Sequence, residues 1–251
     1  MHPPSAYIGT AGWSLPRETW GAFPPEGSHL ERYAAVFNAA EINTSFYRPH
    51  QPKTYERWAA ATPPHFRFAV KLPKSITHEA RLHGVDDLLA RFAGEAGALG
   101  DKLGAVLVQL PPSLALDASA AAALFGALRE RFSCMIACEA RHATWFAPDA
   151  TQLLRQAGVT RVLADPVVGY AGPFEPTTAA AYVRLHGNPR IYYSRYTPER
   201  MDEVRAWLAR HPDSWCILDN TASGAATSNA LELMGLGDQA ARPDTPDLSE
   251  R

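Results

Sequence analysis

The sequence predicts a single (β/α)8 barrel, and two observations carry that prediction. Eight short, near-continuous apolar runs recur roughly thirty residues apart, most ending in a polar residue, with helix-like stretches between nearly all of them. No G-x-G-x-x-G follows the first run, which makes a doubly wound sheet the weaker alternative. The strand-like runs are Tyr7–Gly12, Ala40–Phe46, Arg67–Leu72, Ala105–Leu110, Met135–Arg141, Arg161–Asp165, Ala181–His186 and Ser214–Asn220. Helix-like stretches His29–Asn38 and Thr54–Ala61 follow the first two, and Asp86–Leu99 and Asp117–Phe132 the next two. Pro148–Gln156, Pro198–Arg210 and Ala225–Leu236 come later, while the connection from Pro166 to Thr178 reads as irregular. Asp117, Asp149 and Thr197 suit helix N-caps, with Pro198 at a first helical position.

The chain has 251 residues, 46% hydrophobic and 20% charged, with a net charge of −2. Those proportions support one large core and exclude disorder for most of the chain. No apolar run approaches the roughly 20 residues a membrane helix needs. Residues 1–6 read as an N-terminal extension without signal-peptide character, 7–236 as the barrel, and 237–251 as a solvated tail expected to be disordered. Cys134, Cys138 and Cys216 form no C-x-x-C and read as reduced apolar fillers, which suits a cytoplasmic location.

In such barrels chemistry sits at the C-terminal ends of the strands. Those ends carry Trp13; Glu41 and Asn43; Lys71; Gln109; Glu139 and Arg141; Asp165; Arg184 and His186; and Asp219-Asn220. Side chains alternate along a strand, so Arg184 and His186 share a face, and the apolar Val183 and Leu185 assign that face to the barrel interior. The same rule pairs Glu41 with Asn43 and Glu139 with Arg141. The bland alternative for the set is an ion-pair network that only plugs the mouth.

Three acids (Glu41, Glu139, Asp165) face three cations (Lys71, Arg141, Arg184). A two-metal hydrolase needs its carboxylates and histidines in excess, so the balance favours a cofactor-free site that grips an anion and moves protons. One divalent metal on Glu139, Asp165 and His186 is the alternative. Lys71 suits pairing with Glu41 or anion binding, and otherwise a base or Schiff-base nucleophile. His186 and Glu139 are the first acid–base candidates, with Asp165, Lys71 and Glu41 behind them. Arg141, Arg184, Asn43, Gln109, His78 and Asn220 are candidate substrate contacts, and removal of Arg184 is expected to spare the fold. Among the rim aromatics, Trp13, Tyr47 and Tyr192 are candidate stacking contacts. Backbone amides at the start of the last helix, near Gly224, suit a phosphate or simply a close-packed helix start.

These residues also form motifs: Gly9-Thr10-Ala11-Gly12-Trp13, Glu41-Ile42-Asn43 with Phe46-Tyr47, Lys71 with Thr77-His78, and Gln109-Leu110-Pro111-Pro112. Glu139-Ala140-Arg141-His142 with Trp145-Phe146, Asp165, Arg184-Leu185-His186-Gly187 and Asn220-Thr221 with Gly224 and Asn229 continue the series. In order and spacing the chain resembles the YecE-like family, DUF72, from Ile8 to about Leu236. Ala11 stands where that family usually has Ser, and Asp219 where it often has Asn. The resemblance implies a TIM barrel, similar in outline to the xylose-isomerase-like barrels that include sugar isomerases and abasic-site endonucleases, and no settled activity. The expected function is an enzyme (a hydrolase, lyase or isomerase) acting on a small anionic or phosphorylated ligand. The alternatives are a metal-dependent phosphodiester or sugar enzyme, and a non-enzymatic binder of nucleic acid or nucleotide. No membrane partner is expected.

Overall fold

The computed structural model of the chain describes residues 6–236. Eight parallel strands close into a barrel in sequence order: β1 (Ala6–Ala11), β2 (Ala39–Ile42), β3 (Arg67–Lys71), β4 (Leu103–Gln109), β5 (Met135–Glu139), β6 (Thr160–Asp165), β7 (Tyr182–Leu185) and β8 (Ser214–Leu218). Ala6 therefore belongs to β1, one residue inside the expected extension; the tail from 237 lies outside the described residues.

Around the strands lie α1 (His29–Ala34), the single turn α2 (Thr44–Tyr47), α3 (Pro52–Ala60), α4 (Asp86–Ala96), α5 (Ala118–Arg131), α6 (Pro148–Gln156), α7 (Pro198–Leu208) and α8 (Ala225–Leu233). Asp117 and Thr197 cap α5 and α7 through their side chains. Asp149 does not cap α6: Pro148 takes the first helical position, so the N-cap moves back to Ala147. The second strand stops at Ile42 instead of reaching Phe46. Ser45 Oγ donates to the carbonyls of Ile42 and Lys71, which draws this segment into α2.

No helix fills the sixth connection. Buried Arg161 stands in for one, its guanidinium donating to the carbonyls of Trp145 and Glu175 and to Thr151 Oγ1.

Two apolar layers hold the barrel. Outward residues such as Ile42, Val70, Val106, Ile136, Val183 and Leu218 pack against the helices. Inside, Tyr7, Trp215 and Tyr182 stack in series and lean across the bore over Ala39, Ala69, Ala105 and Ala137. The aromatic wall demands a small opposite wall. A Cβ on Gly104 would lie 2.5 Å from the Trp215 ring. This aromatic floor closes the bore and leaves the strand ends above it to polar groups.

Candidate functional site

Strand alternation assembles the centre of the site. Above inward Ala39, Ala137, Tyr182 and Ile217 come Glu41, Glu139, Arg184 and Asp219. Arg184 is fully enclosed. Its guanidinium grips Glu41 through Nε at 3.1 Å and Nη2 at 2.7 Å, reaches Glu139 at 2.5 Å, and reaches Asp219 at 2.9 Å. Tyr182 adds a hydroxyl donated to Glu41 Oε2 at 2.8 Å. One cation thus ties together β2, β5, β7 and the end of β8.

Arg141 donates twice to the other oxygen of Glu139, at 2.9 and 2.6 Å. Burial opposes the charge on Glu139, but Arg184, His186 and Arg141 outweigh it and hold the carboxyl well below its usual range. Asp219 is likewise held low against its burial, by Arg184 and by its hydrogen bond with His186. Both acids are permanent carboxylates near neutrality. Glu139 is thereby a poor proton donor, which bears on the acid half of its expected acid–base role.

His186 lies in the same layer, 2% exposed, with Nδ1 3.0 Å from Asp219 Oδ2. Burial pushes its pKa down, but the Asp219 and Glu139 carboxylates raise it overall. Nε2 is 3.3 Å from Glu139 Oε1, too poorly aligned for a hydrogen bond and without contact with solvent. The ring of Tyr192 stands edge-on to the imidazole at 5.9 Å. Tyr192 itself has a left-handed φ of 70°.

Lys71 is the exception in this layer. Only 8% exposed, it makes no ion pair or hydrogen bond through its amine among the described residues. The expected pair with Glu41 is absent because Arg184 and Tyr182 occupy that carboxylate. Lys71 Nζ instead sits 4.2 Å from the centre of the Phe46 ring, and His78 packs edge-on to the same ring at 4.9 Å. Burial and the Arg184 charge bring the Lys71 pKa down to about 8. His78 is half-buried, and its pKa is lowered by burial, Lys71 and Arg141. Nδ1 of His78 contacts Thr77 Oγ1 at 2.8 Å.

The chain matches the family model described as "Protein of unknown function DUF72" over residues 7–250. It belongs to the DUF72 family. UPF0759 protein YecE of Escherichia coli K12 is 33% identical over 165 residues, a match spanning 63% of this chain and 58% of that protein. UPF0759 protein YunF of Bacillus subtilis is 23% identical across 92% of this chain and 94% of its own length. The crystal structure of a DUF72 family protein from Thermotoga maritima is 26% identical, with a TM-score of 0.75 over 93% of this chain and 99% of that one. A DUF72 family protein from Enterococcus faecalis, 20% identical, superposes with a TM-score of 0.76 over 93% and 95% of the two chains. These likenesses agree with the barrel this DUF72 chain forms.

Other predicted site residues divide between mouth and scaffold. Gln109 is buried beside Glu139 in the strand ladder, and Asn43 Oδ1 is buried without a partner. Tyr47 is 72% exposed on the rim. Trp13 turns instead to Trp58 and Phe68 in the outer layer, at 5.1 and 6.2 Å. Asn220 faces outward and ties Ser194 to Asn229.

Asp165 is the clearest correction in this DUF72 site. Val162 and Ala164 take the inward positions of β6, so Asp165 points out and pairs with Arg200 at 2.9 Å. The alternative metal set of Glu139, Asp165 and His186 is therefore not brought together. No trio of His, Cys, Asp or Glu among the described residues has metal-binding geometry. Arg184, expected on the substrate clamp, is enclosed by carboxylates. The start of α8 is packed shut as well: a Cβ on Gly224 would lie 3.2 Å from Pro16 and 3.4 Å from Glu18.

One network residue escaped the sequence reading of the site: Tyr182, because only the depth of its ring brings its hydroxyl to Glu41. Asp219 stood among the strand ends, at two-residue spacing from Trp215 and Ile217, but outside the count of three acids.

Proposed function

We propose that the barrel mouth is the active site of an enzyme for a small anionic substrate, phosphorylated compounds included. The observation that supports this best is the unpaired Lys71 ammonium, buried beside a lattice whose carboxylates are already committed to other cations. With His186 protonated, Arg184, Arg141, Lys71 and His186 outnumber Glu41, Glu139 and Asp219 by one charge. A desolvated positive surplus favours an anion. Arg141 and Lys71 supply the grip, with Gln109 and Asn43 as polar contacts and Tyr47 and Tyr192 as walls. Proton transfer passes to His78, whose lowered pKa keeps it neutral and able to accept a proton near neutrality. Glu139 holds Arg141 in place, and Asp219 holds His186.

The test is thermal unfolding with inorganic phosphate titrated at constant ionic strength. The expected result is saturable stabilisation, about 2.7 kcal/mol at a hundredfold excess over Kd and hence several degrees in Tm. Arg141→Gln and Lys71→Met are each expected to remove that response. A rise matched by chloride, or kept in both variants, overturns the reading.

A further inference from the structure

We infer that Lys71 is a covalent nucleophile, its ε-amine condensing with the carbonyl carbon of a small anionic aldehyde or ketone to form a Schiff base. This rests on the anionic-substrate reading above and adds the substrate's second feature, an electrophilic carbonyl beside the anion.

The geometry separates Lys71 from a lysine that serves only as a counter-ion. A structural cation in this layer would be held by a carboxylate, as Arg184 and Arg141 are. The Lys71 amine has only the face of Phe46 beneath it. It emerges from an apolar strand in which Phe68, Ala69 and Val70 are fully buried. Condensation requires an uncharged amine, and burial favours that form. With a pKa of about 8, about a tenth of the Lys71 population is neutral at pH 7. His78 packs on the same Phe46 ring as Lys71 and feels its charge, which puts an imidazole able to move a proton in the same pocket.

The step balances without an outside reagent. The lone pair of the neutral Lys71 nitrogen attacks the carbonyl carbon, and the C=O π pair moves to oxygen. The nitrogen then loses a proton to His78, which hands it to the alkoxide oxygen, giving a carbinolamine. A second proton, drawn from solvent water, lets that hydroxyl leave as water while the nitrogen lone pair forms the C=N bond of a protonated imine. The substrate's anionic group remains on Arg141, which leaves the Lys71 amine free to react.

Only four lysines compete: Lys53, Lys71, Lys74 and Lys102. Lys53 and Lys74 are exposed and Lys102 half-buried, so reactivity ordered by access would put Lys71 last. The experiment treats the full-length protein with glyoxylate and sodium cyanoborohydride near neutral pH and maps the reduced adducts by peptide mass spectrometry. Lys71 is expected to react about tenfold faster than Lys53 and Lys74, with a rate that rises through a midpoint near pH 8. In urea that preference vanishes. Adducts that follow exposure, with Lys53 and Lys74 ahead, overturn the inference. A parallel reaction with phosphate keeps the two readings apart, since phosphate held by Arg141 and Lys71 is expected to slow the labelling. Protein that phosphate stabilises but whose Lys71 stays unlabelled in the phosphate-free reaction removes the nucleophile and keeps the anion site. Fast labelling of Lys71 that phosphate neither slows nor accompanies with stabilisation supports the nucleophile and removes the anion site.

Discussion

Arg184 spends four of its five N–H donors on three carboxylates, and each of those carboxylates is buried. A residue so placed cannot be deleted without stranding negative charge in the interior. Arg184→Met is therefore expected to lower unfolding free energy by about 3–5 kcal/mol, measured by urea denaturation near neutral pH. A loss under about 1 kcal/mol would mean that the network is worth no more than a surface ion pair. Arg184→Lys is no remedy, because an ammonium cannot match the bidentate hold on Glu41. The expectation that Arg184 could be removed without harm to the fold came from treating every inward cation as a ligand contact. Inward direction was legible wherever a polar pair alternated with apolar neighbours, as in Val183-Arg184-Leu185-His186. It was not legible for Asp165, because Val162, Leu163 and Ala164 are apolar on both sides of the strand.

At the scale of elements, the irregular sixth connection replaces a helix with a strap fastened by side chains. Arg161 holds it from below, and Thr177 Oγ1 accepts from the Arg161 amide while donating to the Val159 carbonyl. Beside the strap, α7 leaves a cavity of about 440 Å³ against the outer faces of β6 and β7. Arg161→Met removes donors to two carbonyls and one hydroxyl, so the strap is expected to loosen while the barrel persists. Limited proteolysis should then cut between Pro166 and Thr178 several-fold faster, with an unchanged far-UV circular dichroism spectrum. Equal cleavage rates would assign the strap's order to something other than Arg161. The sequence marked this segment correctly as the break in the strand–helix rhythm. It gave no sign of the clamp, since Arg161 opens an apolar run and reads as a strand boundary. Turns set by tertiary hydrogen bonds were equally hidden: Ser45 shortens β2 partly through a carbonyl on β3.

For the whole molecule, the charge layer couples stability to pH in both directions. Glu139 and Asp219 are held below their ordinary range, so their contribution is present above about pH 4 and is lost as pH falls through the depressed values. His186 is raised, so its contribution is complete below about pH 6.5 and is lost as pH rises through its folded value. Lys71 runs the other way: folding opposes its charge, and that penalty is relieved as pH climbs from about 8 toward the unfolded value. The stability difference between the parent and His186→Gln is thus expected to shrink as pH rises above about 6.5, followed by urea midpoints. A difference constant across that range would mean that His186 is neutral in the folded barrel. Arg184 meanwhile joins strands from opposite sides of the wall, so loss of its partners acts on the barrel as one unit. That architecture divides the mouth by evolutionary freedom. Each member of the lattice is locked by the others, and a lineage could change them only in matched steps. Lys71 belongs to no such set, and its loss would relieve a buried charge. Relaxed selection on activity would let position 71 drift while the lattice beneath it stayed intact.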